Sequence, residues 1–200
     1  MICAVVLAAG QSLRMGVQKL LLPFAGTTVI GHIVGQIVRG PVDHTIVVVG
    51  ADRQLVIDAV DGLGAAIAVN PDVGADMLSS VRCGLRALPE RCSAVLVALG
   101  DQPSITTSLV EELVAAFGDS AWPIVVPVHQ GKRGHPMLIS MRYRQEILMK
   151  YDDVGLRGLL ADHPQDIFQL PVTTQGVLDD MDRPEDYRRE ISRQRQRCEG

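Results

Sequence analysis

The sequence predicts a three-layer α/β/α fold in which a doubly wound, mostly parallel β-sheet lies between two layers of helices and has a mixed edge. Short apolar runs rich in β-branched residues alternate with amphipathic helical segments up to about residue 128. This alternation is typical of parallel strands joined by helical crossovers. Beyond that point the elements are shorter and hairpin-like, which indicates antiparallel pairing at one edge.

The elements follow one another in a regular order. Apolar and β-branched runs predict strands at 2–7, 45–49, 66–69, 94–99, 124–128, 137–140, 167–171 and 176–178. Helical periodicity and end signals predict helices at 29–39, 53–60, 108–117, 142–150 and 156–161, and from Pro184 onward. A further amphipathic helix follows the polar segment 70–80 and runs through Leu88. The segment 191–200 is charged and poor in apolar residues, so we expect it to fray. Residues 1–190 would then form a single domain.

Composition restricts the classes of function. With 200 residues, 47% of them hydrophobic, the chain has enough apolar side chains for one full core. A net charge of −4 and an aromatic content of 4% argue against a broad nucleic-acid surface. The sequence shows no apolar run of membrane-spanning length, no signal-peptide pattern and no C-x-x-C pair among its four cysteines. We therefore expect a cytoplasmic protein with a small-molecule partner.

The stretch that follows the first predicted strand suits a chain of phosphates. The strand stops in small residues and Gly10, and two cations follow at Arg14 and Lys19. Glycine lets backbone amides approach a bound group, and a guanidinium and an ammonium both pair well with phosphate oxygens. The spacing matches neither a P-loop nor a dinucleotide fingerprint. An ordinary turn with two solvated cations remains the alternative at this point.

Two later loops also offer ligand-binding groups. Ser79 and Ser80, downstream of Asn70, would either cap a helix or bind phosphate or ribose at its N-terminus. Asp101 follows a fully apolar strand, in the position where open α/β sheets place ligands. It would bind Mg²⁺ beside substrate phosphates or cap the next helix.

Charged and titratable residues also mark the second half of the chain. His135 stands between a glycine and a proline, just after Lys132 and Arg133, and would be either a structural residue or part of a binding loop. Asp180 and Asp182 belong to an acidic cluster directly before the last predicted helix. Neither feature alone identifies a function.

Taken in order, these features resemble the nucleotidyltransferases of the molybdenum-cofactor type, the MobA-like NTP transferases. The resemblance rests on Leu7-Ala8-Ala9-Gly10-x-Ser12-x-Arg14-Met15-Gly16-x-x-Lys19, the segment 70–80, Gly100-Asp101-Gln102-Pro103, Gly134-His135-Pro136 and Asp180-x-Asp182-x-Pro184-Glu185-Asp186. These motifs cover about residues 2–188. Within the family the chain is most similar to molybdopterin cytidylyltransferases, with guanylyltransferases as close relatives.

The resemblance implies a Rossmann-like nucleotidyltransferase sheet that binds an NTP together with Mg²⁺. By position, Arg14, Lys19 and Asp101 would be catalytic, and Asp101 and Asp182 would bind the metal. Asp180 would help to complete the metal site or orient the attacking phosphate. The residues that would bind substrate are Leu7, Ala8, Ala9, Gly10, Ser12, Gly16, Asn70, Ser79, Ser80, Gln102, Gly134 and His135.

The implied reaction is transfer of CMP from CTP to the terminal phosphate of molybdopterin, with release of pyrophosphate. Cytidylyl members of the family tend to have Ala-Ala-Gly where guanylyl members have Ala-Gly-Gly, and this chain has Ala8-Ala9-Gly10. A molybdoenzyme or its maturation chaperone is the implied protein partner. Guanylyl transfer, transfer to another phosphorylated metabolite such as a sugar phosphate, and nucleotide sensing without catalysis remain as alternatives.

One segment departs from the family pattern. The family usually has a compact Gly-Met-x-x-Ser here, whereas Ala75-Asp76 separates Gly74 from Met77 in this chain. An additional carboxylate beside a phosphate site would repel the ligand. We therefore expect Asp76 to point away from the nucleotide, or the acceptor to differ.

Overall fold

The computed structural model describes residues 1–10, 16–50, 53–72, 76–119 and 122–199. The strands in these ranges are β1 (Ile2–Ala8), β2 (Pro23–Phe24), β3 (Thr27–Thr28), β4 (His44–Val49), β5 (Ala65–Val69), β6 (Ala94–Leu99), β7 (Ile124–His129), β8 (Lys132–Arg133), β9 (Met137–Ser140) and β10 (Ile167–Pro171). The α-helices are α1 (Val29–Val38), α2 (Arg53–Val60), α3 (Met77–Ala87), α4 (Thr107–Asp119), α5 (Arg144–Met149), α6 (Leu156–Asp162) and α7 (Pro184–Glu199).

One mostly parallel sheet organises the molecule. Its strand order is β10-β7-β9-β6-β1-β4-β5, and β8 pairs with β7 outside this path. The β1 strand is parallel to both β4 and β6, and β4–β5 and β7–β10 are also parallel pairs. The β9 strand is antiparallel to both β6 and β7. The predicted mostly parallel, mixed sheet is therefore confirmed.

Strand β9, which is antiparallel to both of its neighbours, lies inside the sheet, although the sequence predicts mixed pairing at an edge. A short connection leads from β7 to β9, and a short connection favours antiparallel neighbours. Because β9 also pairs with β6, it joins the strands on either side of it. The strand predicted at 176–178 is wrong: Gln175–Val177 form a 3-10 turn. Val177 is buried there, and its carbonyl accepts from the His135 amide at 2.9 Å.

Helices cover both faces of the sheet and give three layers. Helices α1, α2 and α4 pack into one apolar cluster, and α3, α5 and α6 pack into the other. Alternate residues of β1 point into opposite clusters, as a strand buried on both faces requires. Helix α3 crosses β1 very closely, because a β-carbon at Gly84 would lie 2.4 Å from Val5 Cγ1.

The chain reverses its direction of travel across the sheet between β1 and β6. From β1 it moves outward to β4 and β5 through α1 and α2 on one face. It then returns through α3 on the other face to β6, on the opposite side of β1. In open α/β sheets, ligands bind outside the carboxyl ends of the strands at such a reversal. The loops that follow Ala8 and Leu99 are therefore the place to look for a site.

The last helix continues through the segment that the sequence predicts to fray from residue 191. Tyr187 and Ile191, four positions apart, pack against the core on one face of α7. The Tyr187 hydroxyl also donates to the Pro23 carbonyl at 2.7 Å. Two apolar contacts one turn apart are enough to dock a helix whose other faces are charged. Within the described ranges, no helix is both long and apolar enough to cross a lipid bilayer.

Candidate functional site

Three side chains that are far apart in the sequence meet at the carboxyl end of β1 and β6. The Lys19 ammonium lies 2.6 Å from Asp101 Oδ2 and 2.9 Å from Asp182 Oδ1. Lys19 begins a 3-10 turn whose next residue, Leu20, is buried in the core and anchors the turn. The structure thus brings together the lysine and both predicted metal ligands.

Backbone contacts bring the two carboxylates to this point. Gly100 donates its amide to the Leu7 carbonyl at 2.9 Å, so the chain leaving β6 crosses the end of β1. A β-carbon at Gly100 would lie 2.7 Å from that same carbonyl oxygen, which only glycine avoids. The Met181 amide then donates to the Asp101 carbonyl at 3.2 Å. Asp182 is therefore held beside Asp101 by main-chain contacts.

The lysine remains charged between the two carboxylates. Partial burial lowers the pKa of Lys19, but the charge and hydrogen bond of Asp101, together with those of Asp182, raise it above its ordinary value overall. Its side chain is only 11% exposed, against 20% for Asp101 and 49% for Asp182. The ammonium offsets the repulsion between two carboxylates that would otherwise face each other.

Asp180 adds a third carboxylate to the same site. Burial raises its pKa, and the negative charges of Asp101 and Asp182 act in the same direction, although a hydrogen bond from Gln102 opposes them. In that bond, Gln102 Nε2 lies 2.7 Å from Asp180 Oδ1. Gln102 is buried, and its Oε1 atom has no hydrogen-bond partner among the residues that the structure describes. The amide thus positions Asp180 and keeps one acceptor free.

The site has the chemistry to hold a divalent cation beside phosphates. Within the described residues, no group of three or more His, Cys, Asp or Glu side chains has the geometry of a metal site. Mg²⁺ bound with a nucleotide takes only one or two carboxylates from the protein and completes its shell with phosphate oxygens and water. Asp101 and Asp182 converge on a single point, now held by the Lys19 ammonium, and therefore fit that requirement.

Polar residues before α3 and in its first turn form their own hydrogen-bonded group. Asn70 Nδ2 lies 3.1 Å from the hydroxyls of both Ser79 and Ser80, and Ser79 also donates to Asp72. The helix is capped by Asp76, whose Oδ1 accepts from the Ser79 amide at 2.9 Å. The two serines therefore do not cap α3. Asp76 is the N-cap of the helix, which gives the additional acid a structural role.

His135 lies in a tightly packed loop, within electrostatic reach of Asp101. Its amide donates to the Val177 carbonyl, and a β-carbon at Gly134 would lie 2.3 Å from that oxygen. Burial lowers the pKa of His135 to about 4, although the charge of Asp101 opposes the shift. The imidazole is therefore neutral at physiological pH and within electrostatic reach of Asp101. Lys132 and Arg133 are exposed on β8.

The lowered pKa of His135 predicts a dependence of stability on pH. In the unfolded chain its pKa returns to about 6.5, so between about pH 6.5 and 4 the unfolded state binds the additional proton. Acidification through this window should therefore destabilise the protein. One pKa unit corresponds to 1.4 kcal/mol, and partial exposure reduces the effect, so we expect a loss of about 1–2 kcal/mol.

Urea denaturation of the wild type and of His135→Asn at a series of pH values measures this contribution. The variant lacks the titrating group, so its free energy of unfolding should fall less steeply below pH 6.5. Parallel profiles for the two proteins would contradict the assignment.

The remaining predicted site residues lie at the end of β1 or outside the described ranges. Leu7 and Ala8 belong to β1, and Ala9 packs against the next strand end, where a β-carbon at Gly50 would meet its carbonyl at 2.9 Å. Gly10 and Gly16 are exposed on either side of residues 11–15. Ser12, Arg14 and Gly74 lie outside the described residues, so their predicted roles stay predictions.

An ion-paired group behind the site is not among the residues predicted from the sequence. Glu190 and Arg193 of α7 contact Ser104 and Asp179, which flank the two carboxylate-bearing segments. The alternation of arginines and acids in α7 suggested a solvated face. The apolar pair formed by Tyr187 and Ile191 was the available signal that one face of the helix is buried.

The chain is similar to known proteins over most of its length. Residues 4–167 match the family model described as MobA-like NTP transferase domain. The molybdenum cofactor cytidylyltransferase of Escherichia coli (strain K12) is 25% identical over 187 residues, which are 92% of each chain. The nicotine blue oxidoreductase of Paenarthrobacter nicotinovorans is 28% identical over 188 residues, which are 90% of this chain and 92% of that one. The resemblance predicted from the motifs is confirmed.

Solved structures share the whole architecture. Rv0371c from Mycobacterium tuberculosis H37Rv superposes with a TM-score of 0.86 at 29% identity, covering 96% of this chain and 98% of that chain. The same protein has also been solved in complex with manganese, with a TM-score of 0.80 at 28% identity and the same coverage. A nucleotidyl transferase from Methanothermobacter thermautotroptrophicus has a TM-score of 0.85 at 25% identity and covers 98% of both chains.

Proposed function

The chain belongs to the MobA-like NTP transferase family, and from this premise we propose that it transfers a nucleoside monophosphate from an NTP to a phosphorylated acceptor. The observation that carries the proposal is the meeting of the Lys19 ammonium with Asp101 and Asp182 at the carboxyl end of the sheet. A cation between two carboxylates suits a triphosphate that arrives with a divalent metal.

The chemistry is a substitution at the α-phosphorus of the NTP. An oxygen of the acceptor phosphate forms a bond to that phosphorus, and the bond from it to the oxygen bridging to the β-phosphorus breaks. The leaving pyrophosphate takes the electron pair. A phosphate monoester dianion is already a nucleophile, so the protein needs no nucleophilic side chain. Its task is to align two anions and offset their repulsion.

The residues of the candidate site would divide this task. Asp101 and Asp182 would hold the metal, and Lys19 would contact the phosphates of the NTP. A divalent ion, when bound, would supply positive charge to the triphosphate and to the leaving pyrophosphate. We expect Mg²⁺, because the ligands are oxygens and a relative has been solved with manganese. Arg14 would assist Lys19.

CTP and molybdopterin are the proposed substrates. The relative from Escherichia coli that aligns with 92% of this chain is a molybdenum cofactor cytidylyltransferase, and the Ala8-Ala9-Gly10 sequence favours a cytosine base. The acceptor phosphate would bind on the side of the neutral His135 and the exposed cations of β8. Asn70, Ser79 and Ser80 would contact the nucleotide.

A second candidate function is an oxidoreductase activity. A relative of similar coverage and slightly higher identity, 28%, has the name nicotine blue oxidoreductase. The pairing of Lys19 with two carboxylates favours nucleotidyl transfer over this alternative, because the arrangement offers charges for a metal and phosphates.

A ligand panel separates these functions. Thermal unfolding is measured with CTP, GTP, ATP and UTP in the presence of Mg²⁺, and with NADH and NADPH. The proposal predicts the largest stabilisation by CTP, because a ligand that binds only the folded state raises its stability. Pyrophosphate release on addition of molybdopterin then tests turnover. A preference for GTP would indicate guanylyl transfer, and stabilisation by NADH or NADPH alone would favour the oxidoreductase.

A further inference from the structure

A buried carboxylate lies on α7, behind the proposed metal site. Glu190 is only 2% exposed, and each of its oxygens has a partner. Oε2 accepts from the Ser104 hydroxyl and Oε1 from Arg193 Nη1, both at 2.5 Å. Removing a charge from water costs several kcal/mol, which a well-paired partner offsets only in part. Such an arrangement is a poor way to stabilise a helix that apolar side chains already dock.

The arginine of this pair reaches a second segment of the chain. Arg193 Nη1 also lies 2.5 Å from Asp179 Oδ2. Partial burial lowers the pKa of Arg193, but Asp179 and Glu190 outweigh that effect and raise it. A single guanidinium therefore connects α7 to the segment that leads directly into Asp180 and Asp182.

Ser104, which contacts Glu190, and Asp179, which contacts Arg193, each lie close to one of the proposed metal ligands in the chain. Ser104 is three residues after Asp101, and Asp179 is three residues before Asp182. The segments also pack tightly on each other nearby, because a β-carbon at Gly176 would lie 2.1 Å from Ser104 Cβ. Glu190 and Arg193 thus join the far ends of both segments to one helix.

This connection matters most when the site is loaded. Asp101, Asp180 and Asp182 carry like charges at close range. Burial makes the largest contribution to the raised pKa of Asp180, and the negative charges of Asp101 and Asp182 raise it further. In the ligand-free protein the Lys19 ammonium holds Asp101 and Asp182 together. When Lys19 contacts a triphosphate instead, the main-chain hydrogen bond from Met181 to Asp101 and the side-chain contacts of α7 remain to keep the two segments at the distance that a metal requires.

We propose that Glu190 and Arg193 are positioning residues that hold the Asp101 and Asp182 segments in register for the divalent metal. The inference rests on the proposed function, because it assumes that these two carboxylates bind the metal. Neither residue touches the substrate. They act through Ser104 and Asp179. Tyr187 and Ile191 pack α7 against the core independently of these contacts, so we expect the helix to stay docked in the variants.

The test is Mn²⁺ binding to the full chain, followed by electron paramagnetic resonance with an α,β-methylene analogue of CTP. For Arg193→Met, the Mn²⁺ concentration for half-saturation should rise about tenfold, as is typical when a residue supporting a metal ligand is lost. Arg193→Lys, which keeps the charge, should recover much of the affinity. Glu190→Gln, which keeps an acceptor for Ser104, should have an intermediate effect.

Arg188→Met is the matched control. Arg188 lies on the same helix, is 74% exposed in its side chain, and pairs at 3.6 Å with Glu185. The Mn²⁺ concentration that half-saturates Arg188→Met should equal that of the wild type. In turnover assays, Arg193→Met should need more metal but approach wild-type kcat at saturating metal, a split that general loss of stability would not produce.

Two results are decisive against the inference. If Arg193→Met and Glu190→Gln lower the melting temperature but bind Mn²⁺ like the wild type, the network is purely structural and the inference is wrong. If the wild type itself takes up no Mn²⁺ with the nucleotide analogue, the proposed metal site is wrong, and the inference fails with it. Variants that bind Mn²⁺ more weakly than Arg188→Met support it.

Discussion

Asp101→Asn is expected to reduce nucleotidyl transfer by about 10²–10³-fold and to leave the fold intact. The neutral amide would remove one negative charge from the proposed metal site, at the point where the leaving pyrophosphate develops charge. The fold should survive because the main-chain oxygen of Asp101 still accepts from the Met181 amide. The rate of pyrophosphate release at saturating nucleotide and Mg²⁺ measures the effect.

The control for Asp101→Asn is Asp58→Asn. Asp58 is exposed on α2 and accepts a hydrogen bond from Gln54, so the same chemical change is made at a carboxylate that is not paired with Lys19. Its turnover should match the wild type. Near-normal turnover in Asp101→Asn, in a protein that melts like the wild type, would show that Asp101 does not bind the metal.

Lys19→Met is expected to change the affinities for nucleotide and metal in opposite directions. Loss of the ammonium removes a charge-assisted contact to the phosphates, typically about 1.5–3 kcal/mol, so CTP should bind at least about tenfold more weakly. Cytidine, which has no phosphate, should bind as before. Mn²⁺ alone should bind more tightly to the variant than to the wild type. In the wild type the Lys19 ammonium lies 2.6 Å from Asp101 and 2.9 Å from Asp182, the two proposed metal ligands, and its positive charge competes with the ion.

Calorimetric titrations with CTP, cytidine and Mn²⁺ separate these effects. Lys150→Met is the control, since Lys150 is 62% exposed and pairs with Glu146 on α5. Equal losses for CTP and cytidine would argue against contact between Lys19 and the triphosphate. Weaker binding of Mn²⁺ alone would show that the lysine supports the metal site and does not compete with the ion. Some loss of stability is expected, because two carboxylates are left facing each other.

The order and type of most elements could be predicted from the sequence. The strands at the centre of the sheet are uninterrupted apolar runs, and their buried environment on both faces requires that composition. The turn Gln175–Val177 was mistaken for a strand, because three residues contain too little pattern to distinguish the two. The place of β9 inside the sheet also escaped prediction, since its partner β6 is remote along the chain.

The candidate site was predicted in part. Lys19, Asp101 and Asp182 follow from motif order, and the structure brings their side chains together. The capping role of Asp76 was open to prediction, because aspartate is a preferred N-cap and Asp76 directly precedes the first helical residue, Met77. The contacts of Glu190 and Arg193 could not be predicted, because exposed and buried charges on a helix have the same sequence signature.

The sequence by itself determined the fold class and the family, and it singled out Lys19, Asp101 and Asp182, since these depend on patterns between neighbours and on motif spacing. Only the tertiary structure decided the contacts of the charges. Lys19 meets Asp101 and Asp182 across 82 and 163 residues, and Ser104 meets Glu190 across 86. Whether a charged side chain is solvated, paired or buried depends on the elements packed against it, and these are brought together only when the chain folds.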